Sequence, residues 1–243
     1  MTKPTTVSEL DQETVSPPGE ILEDNEVSEV GAEGQSKILL YPEHNILELQ
    51  NVLFDDTMDR LREELDDNIA RNGQLTYEDQ RMDVFGKVTH RTKVYETDNA
   101  RKVIANILTN NVVHASASQM HDLSWHLYYS MTANKFEVAM SRYPAGEGFY
   151  RWHTDHGTDP NSGDPVRVLT FVLFLNSCDG GELEISKDYA TAEHLNEKGW
   201  NDFTPVCQYA PEPGNLIMFP THYPHRVLPC KTVREVLHGH VTL

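Results

Sequence analysis

From about residue 134 the hydrophobic pattern settles into a period of two and keeps it to the C-terminus. Residues 135–143, 149–155, 166–175, 181–185, 216–219, 225–228 and 233–243 are short, β-branched or aromatic-rich runs separated by glycine, proline and asparagine. Side chains alternate between faces along an extended strand, so such runs bury one face each and need a second layer to bury it against. The expected fold is mainly β with supporting helices, an all-β barrel or sandwich. The run 168–175 is almost wholly apolar and reads as a central strand whose main task is structural.

The first half supplies the supports. Residues 37–41 and 45–49 read as short strands or an entry segment. Residues 55–67 begin with acidic residues and carry Met58, Leu61 and Leu65 on one face, the pattern of a helix packed on a sheet. Residues 99–108 form a second such helix through Val103, Ile104, Ile107 and Leu108. The sequence therefore divides into a tail over 1–36 and one domain over 37–243, with helical support in 37–133 and the β core in 134–243. The tail holds nine carboxylates against Lys3, no aromatic residue and no apolar periodicity, so it is read as a disordered acidic arm.

Charge and cysteine usage narrow the partners. Of the net charge of −18, the tail contributes −8, leaving −10 on the rest, which repels phosphate backbones and disfavours nucleic acid. No run approaches membrane-spanning length, and no basic start with a continuous apolar stretch marks a secretory signal. Cys178, Cys207 and Cys230 are too few for a disulfide framework and read as reduced thiols of a cytoplasmic protein. The segment 186–210, with Asp188, Glu193, His194, Glu197 and Trp200, reads as a solvated insertion near a rim. The basic stretch 87–93 is a charged surface strand or an edge of a substrate opening.

Within the β half lies His153-Thr154-Asp155. Residues two apart on a strand point the same way, so one imidazole and one carboxylate can grip one ion. The tripeptide alone is common by chance in a chain with twelve histidines. A further imidazole seventy residues on, His225, completes two imidazoles and one carboxylate on one face of an octahedron, leaving positions open as Fe(II) requires for oxygen chemistry. A structural zinc site would close its shell with protein ligands. His222 competes with His225, and His156 is read as a loop residue in the turn-rich stretch after the ligands. Nine positions beyond His225, Arg234 offers a permanently charged fork suited to a carboxylate. Arg234, Val236, His238 and His240 share one strand face and Val233, Glu235 and Leu237 the other, and periodicity alone does not say which is inward.

An ordered set of segments surrounds these residues: Tyr143-Pro-Ala-Gly-Glu-Gly148, Phe174-Leu-Asn176, Gly180-Gly-Glu-Leu183, Pro213-Gly-Asn-Leu-Ile-Met-Phe219, then His225 and Arg234. In this the chain, from about residue 40 onward, resembles the 2-oxoglutarate and Fe(II)-dependent dioxygenases, in particular their prolyl 4-hydroxylase-like branch. The resemblance implies a double-stranded β-helix, or jelly roll, with the metal at its mouth. By it His153, Asp155 and His225 are the catalytic metal ligands, Arg234 holds the distal carboxylate of 2-oxoglutarate, and Tyr143 lines the cosubstrate pocket. It also favours His225 over His222. Phe174 stands where several relatives have a tyrosine, His238 where a small hydroxyl residue is frequent, and His240 where tryptophan is common.

The resemblance further implies Fe(II), 2-oxoglutarate and O2 as cofactors, with ascorbate as an auxiliary reductant. The implied reaction is hydroxylation of a C–H bond of a prolyl residue in a protein or peptide, with oxidative decarboxylation of 2-oxoglutarate to succinate. A small molecule or free amino acid is the alternative substrate. Two readings from other classes remain at this point: a zinc hydrolase or isomerase on the same ligands, and a noncatalytic jelly-roll binding module.

Overall fold

The computed structural model describes residues 37–41, 44–72, 77–78, 89–95, 97–109, 135–155, 166–188 and 203–242. The acidic tail, the loop with His156, and most of the expected rim insertion, including His194 and Trp200, lie outside the described residues. In chain order the elements are β1 (Lys37–Tyr41), β2 (Ile46–Gln50), α1 (Asp55–Asn72), β3 (Tyr77–Glu78), β4 (Thr89–Tyr95), α2 (Asp98–Ile107) and β5 (Phe136–Tyr143). They continue as β6 (Phe149–His153), β7 (Arg167–Phe174), β8 (Leu183–Ile185), β9 (Cys207–Tyr209), β10 (Leu216–Pro220), β11 (His225–Val227) and β12 (Arg234–Thr242).

Neighbouring strands follow the path β1-β2-β10-β7-β12-β5-β4-β6-β11-β8-β9, with β3 on β4. Every pairing is antiparallel, and strands distant in sequence interleave, which is the wrapping of the expected jelly roll. The path folds into two layers. β12 lies at the centre of the larger, between β5 and β7. The smaller is β6-β11-β8-β9. β4 spans both, pairing with β5 through Thr92 to Tyr95 and with β6 through Thr89 and His90.

The short strands read at 37–41 and 45–49 are β1 and β2, a hairpin that extends the larger layer against β10. One difference from the sequence reading follows from this topology. The expected rim insertion contains β9, which pairs with β8 and extends the smaller layer. Cys207-Gln-Tyr209 is too short and too polar to announce itself as a strand. Its backbone groups find partners only because β8 leaves an edge beside it.

The alternation along β12 resolves which face is inward. Leu237 and Val241 join an outer core with Leu61, Leu65 and Ile104, where α1 and α2 cover the larger layer. Val236 joins an inner core between the layers, with Tyr143, Phe174, Phe219 and Tyr223. Arg234, His238 and His240 share the face of Val236 and therefore point inward. Glu235, on the outer face, is buried and receives Arg62 Nε at 2.7 Å and Arg142 Nε at 2.8 Å, an ionic tie between α1, β5 and β12. Gly239 is required by close approach, since a Cβ there would sit 1.8 Å from the Glu137 carbonyl oxygen.

Candidate metal centre

His153 ends β6 and His225 begins β11, and these strands pair so that the two residues are direct register partners. Their rings lie 4.1 Å apart, with His153 stacked on Tyr150 at 3.6 Å and His225 edge-on to Phe219 at 4.8 Å. Both rings are buried. His153 Nδ1 is 2.8 Å from the Arg151 carbonyl oxygen and His225 Nδ1 is 3.1 Å from that of Tyr223. A carbonyl only accepts, so each neutral ring carries its hydrogen on Nδ1 and turns a bare Nε2 lone pair toward the site.

Asp155 arrives differently from the simple alternation argument, because β6 ends at His153. Its position past the strand is set by the backbone: Asp155 N–H donates to the Thr221 carbonyl at 2.9 Å, and the Thr221 hydroxyl donates to the Arg167 carbonyl at 3.0 Å. The carboxylate then meets both rings, with His153 Nε2 at 3.6 Å from Oδ1 and His225 Nε2 at 3.2 Å from Oδ2. Burial alone would raise the Asp155 pKa. When the metal-free rings are protonated, the charges of His225 and His240, a hydrogen bond from His225 and the charge of His153 outweigh it, holding the carboxyl well below the usual range.

The fit to a divalent ion can be judged on these atoms. One ligand atom from each of His153, Asp155 and His225 lies within 4.8 Å of the others. Ligands at right angles about 2.1 Å from an octahedral ion are about 3 Å apart, close to the His225–Asp155 separation. Two bare imidazole nitrogens and an ionised carboxylate suit a ferrous ion and leave half its coordination positions to other molecules. His222, the competing histidine, packs its ring on Tyr223 and stands outside this group.

Deeper between the layers, Arg234 is 1% exposed, with its guanidinium 4.9 Å from the Tyr143 ring and 5.2 Å from that of Phe174. Tyr143 and Arg234 are register partners on β5 and β12. Phe174, at the position of the absent tyrosine, provides a stacking face for the cation. Gly181, at φ +69°, passes so close that a Cβ would stand 2.9 Å from Arg234 Cδ and from Cys230 Sγ. Cys178, Cys207 and Cys230 are all free thiols, as expected. Half-buried His238 is joined to Ser141 Oγ at 2.8 Å. Sequence reasoning missed one contact to the centre: Thr170, in the supposedly structural β7, donates to Asp155 Oδ2 at 3.0 Å. A lone hydroxyl inside an apolar strand was its only signal.

Comparison with known proteins agrees with this geometry. Residues 138–241 match the model of the 2OG-Fe(II) oxygenase superfamily, and this region is a 2OG-Fe(II) oxygenase domain. The protein is a dioxygenase using Fe(II), 2-oxoglutarate and O2. Its fold is similar to that of a Pseudomonas putida prolyl-4-hydroxylase, with a TM-score of 0.55 and 22% identity over 82% of this chain and 92% of that one. The viral collagen prolyl hydroxylase of Paramecium Bursaria Chlorella virus-1 gives a TM-score of 0.49 and 16% identity over 81% and 94% of the two chains. No curated protein matches. Among the described residues, no helix is long and apolar enough to cross a membrane.

Proposed function

We propose that His153, Asp155 and His225 hold the ferrous ion, that Arg234 and Tyr143 receive the distal end of 2-oxoglutarate, and that the protein hydroxylates a prolyl residue of a protein or peptide. The observation that carries this reading is the meeting of two bare Nε2 atoms and an ionised carboxylate in the same interior that Arg234 faces. Bound Fe(II) supplies an oxygen-activating centre that couples oxidative decarboxylation of 2-oxoglutarate to C–H hydroxylation.

The chain's own residues supply order around it. Carbonyls 151 and 223 fix the imidazole tautomers, so neither ring needs to turn or lose a proton to ligate. Arg234, pre-oriented by Tyr143 and Phe174, offers two parallel donors to the non-reacting carboxylate with little ordering cost. Val236, Phe174 and Phe219 keep the space between the layers apolar, which strengthens that charge pairing and restricts water.

Support for a peptidyl proline comes from the branch resemblance, and the Pseudomonas putida neighbour makes prolyl peptides the first substrates to test. Ascorbate enters on the same resemblance, as a reductant in the assay. Free thiols fit a cytoplasmic setting. The experiment is anaerobic loading with Fe(II) and 2-oxoglutarate, exposure to oxygen with a library of proline-containing peptides, and mass spectrometry. A gain of one oxygen on proline, abolished in Asp155→Ala, is the expected result. Oxidation confined to free amino acids or small molecules would overturn the peptidyl assignment, and no succinate under any condition would overturn the reading of the site.

A further inference from the structure

The Asp155 carboxylate is held by a part of the molecule that the reaction does not call on. Thr170 Oγ1 on β7 lies 3.0 Å from Oδ2, and His240 Nδ1 on β12 lies 3.4 Å from the same hydroxyl and 3.9 Å from Oδ2. Thr170 and His240 are register partners on adjacent strands and are 2% and 8% exposed. They face Asp155 from the larger layer, opposite the layer that carries His153 and His225.

Hydrogen counting orders this contact. Thr170 Oγ1 donates to Oδ2, which uses the single hydroxyl hydrogen. The hydrogen between Thr170 and His240 must then come from the ring, which assigns the Nδ1–H tautomer to His240. Two donors in series polarise one another toward the carboxylate. The need for such a tie follows from the backbone, because Asp155 lies beyond the last paired residue of β6, so strand pairing does not set its side-chain angles. A short carboxylate that turned freely would meet the two fixed Nε2 atoms only part of the time.

We propose that Thr170 and His240 form a positioning relay, His240 Nδ1–H to Thr170 Oγ1–H to Asp155 Oδ2, that locks the carboxylate in its metal-binding orientation. This rests on the reading of His153, Asp155 and His225 as the metal ligands. The 3.0 Å contact is the stronger of the two and the 3.4 Å contact the weaker, so most of the effect belongs to Thr170.

The test is equilibrium binding of Mn(II), a redox-inert stand-in, to the full chain without 2-oxoglutarate, with the Mn(II) electron paramagnetic resonance line shape as a second readout. Thr170→Val keeps the shape and removes the donor, and should weaken Mn(II) by about 10- to 100-fold, the range for lost outer partners of metal ligands. Thr170→Ser restores the hydroxyl and should return affinity to within about three-fold of the parent. His240→Phe should weaken binding by a few-fold and broaden the line shape, while His240→Asn, whose amide nitrogen can replace Nδ1, should do neither. Thr170→Val binding within two-fold of the parent would overturn the relay. If Thr170→Val does not fold, the His240 pair decides, and identical behaviour of His240→Phe and His240→Asn overturns it. A parent that binds no Mn(II) defeats the ligand reading and the relay together, whereas a parent that binds with indifferent Thr170 variants defeats the relay alone.

Discussion

Replacing Arg234 by lysine keeps the positive charge and removes the fork. The guanidinium is buried and stacked on Tyr143 and Phe174 at 4.9 and 5.2 Å. Those stacking contacts exist with and without cosubstrate, so they cancel from the binding free energy and act by holding the fork in place. What lysine forfeits is the second of two charge-assisted hydrogen bonds to the distal carboxylate, about 2 kcal/mol. At 1.4 kcal/mol per factor of ten, that is a loss of roughly 30-fold in 2-oxoglutarate affinity. The assay is anaerobic titration of 2-oxoglutarate onto the Mn(II)-loaded protein, which reports a true equilibrium where KM mixes binding with chemistry. Mn(II) affinity measured without 2-oxoglutarate should stay within about two-fold, since no ligand atom is changed. An Arg234→Lys variant that binds 2-oxoglutarate within about three-fold of the parent would refute the assignment of Arg234 as the seat of the carboxylate.

Three further outcomes follow from the structure. Glu235→Gln should destabilise by about 2 kcal/mol, a figure kept below that of a fully buried pair because Arg62 is 42% exposed, and thermal unfolding should shift down by roughly 4–8 °C. No shift would mean that the ionic tie between α1 and β12 is idle. Because the Asp155 carboxyl is held below its usual range, it keeps its charge above that value and loses it only as pH falls below the ordinary carboxylate range of about 4. The Asp155 carboxyl carbon, followed by 13C NMR in the metal-free protein, should therefore still report the ionised form at about pH 4, and a titration midpoint at or above about 4 would contradict this. Burial pushes the Cys230 thiol up to about 12, despite the nearby Arg234 charge, so iodoacetamide at pH 8 should leave it unmodified in the folded protein. Prompt native-state alkylation of Cys230, located by peptide mapping, would show that its surroundings are open to water.

The legible parts of this molecule are those in which local pattern and tertiary demand coincide. Strands β5, β6, β7, β10, β11 and β12 announce themselves as short alternating or apolar runs bounded by turn residues, β7 and β10 as continuous apolar runs because both their faces are buried. His225 could be preferred to His222 through the family resemblance, whose spacing to Arg234 it matches, and the rings separate that way, one toward Asp155 and one onto Tyr223. What stayed hidden depends on partners far away in sequence. The inward face of β12 is decided by α1 and α2 covering the other one, and both faces carry a mixture of charged and apolar residues. β9 exists because β8 offers it an edge. Thr170 looks like one more β-former in an apolar run until the wrapping of the two layers brings Asp155 against it from across the interior.

Strand β12 shows why such a centre needs an exact register more than an exact composition. Its inward residues Arg234 and His240 face the centre, and its outward residues Glu235, Leu237 and Val241 bind the helical cover. A slip of one residue exchanges the faces, turning Glu235 into the interior and Arg234 toward α1, so that stability and site would fail together. Three features oppose the slip. Glu235 meets Arg62 and Arg142 only in the observed register. The Asn176 side chain holds the start of the strand at two points, accepting from Glu235 N–H at 2.8 Å and donating to the Val233 carbonyl at 2.8 Å. Gly239 pairs with Val138, and the adjacent Glu137 carbonyl oxygen leaves no room for a Cβ there. The ionic tie on the outer surface of the larger layer is thus part of what delivers a guanidinium to the inner one, and a helix that touches no ligand contributes to where the carboxylate of 2-oxoglutarate would be held.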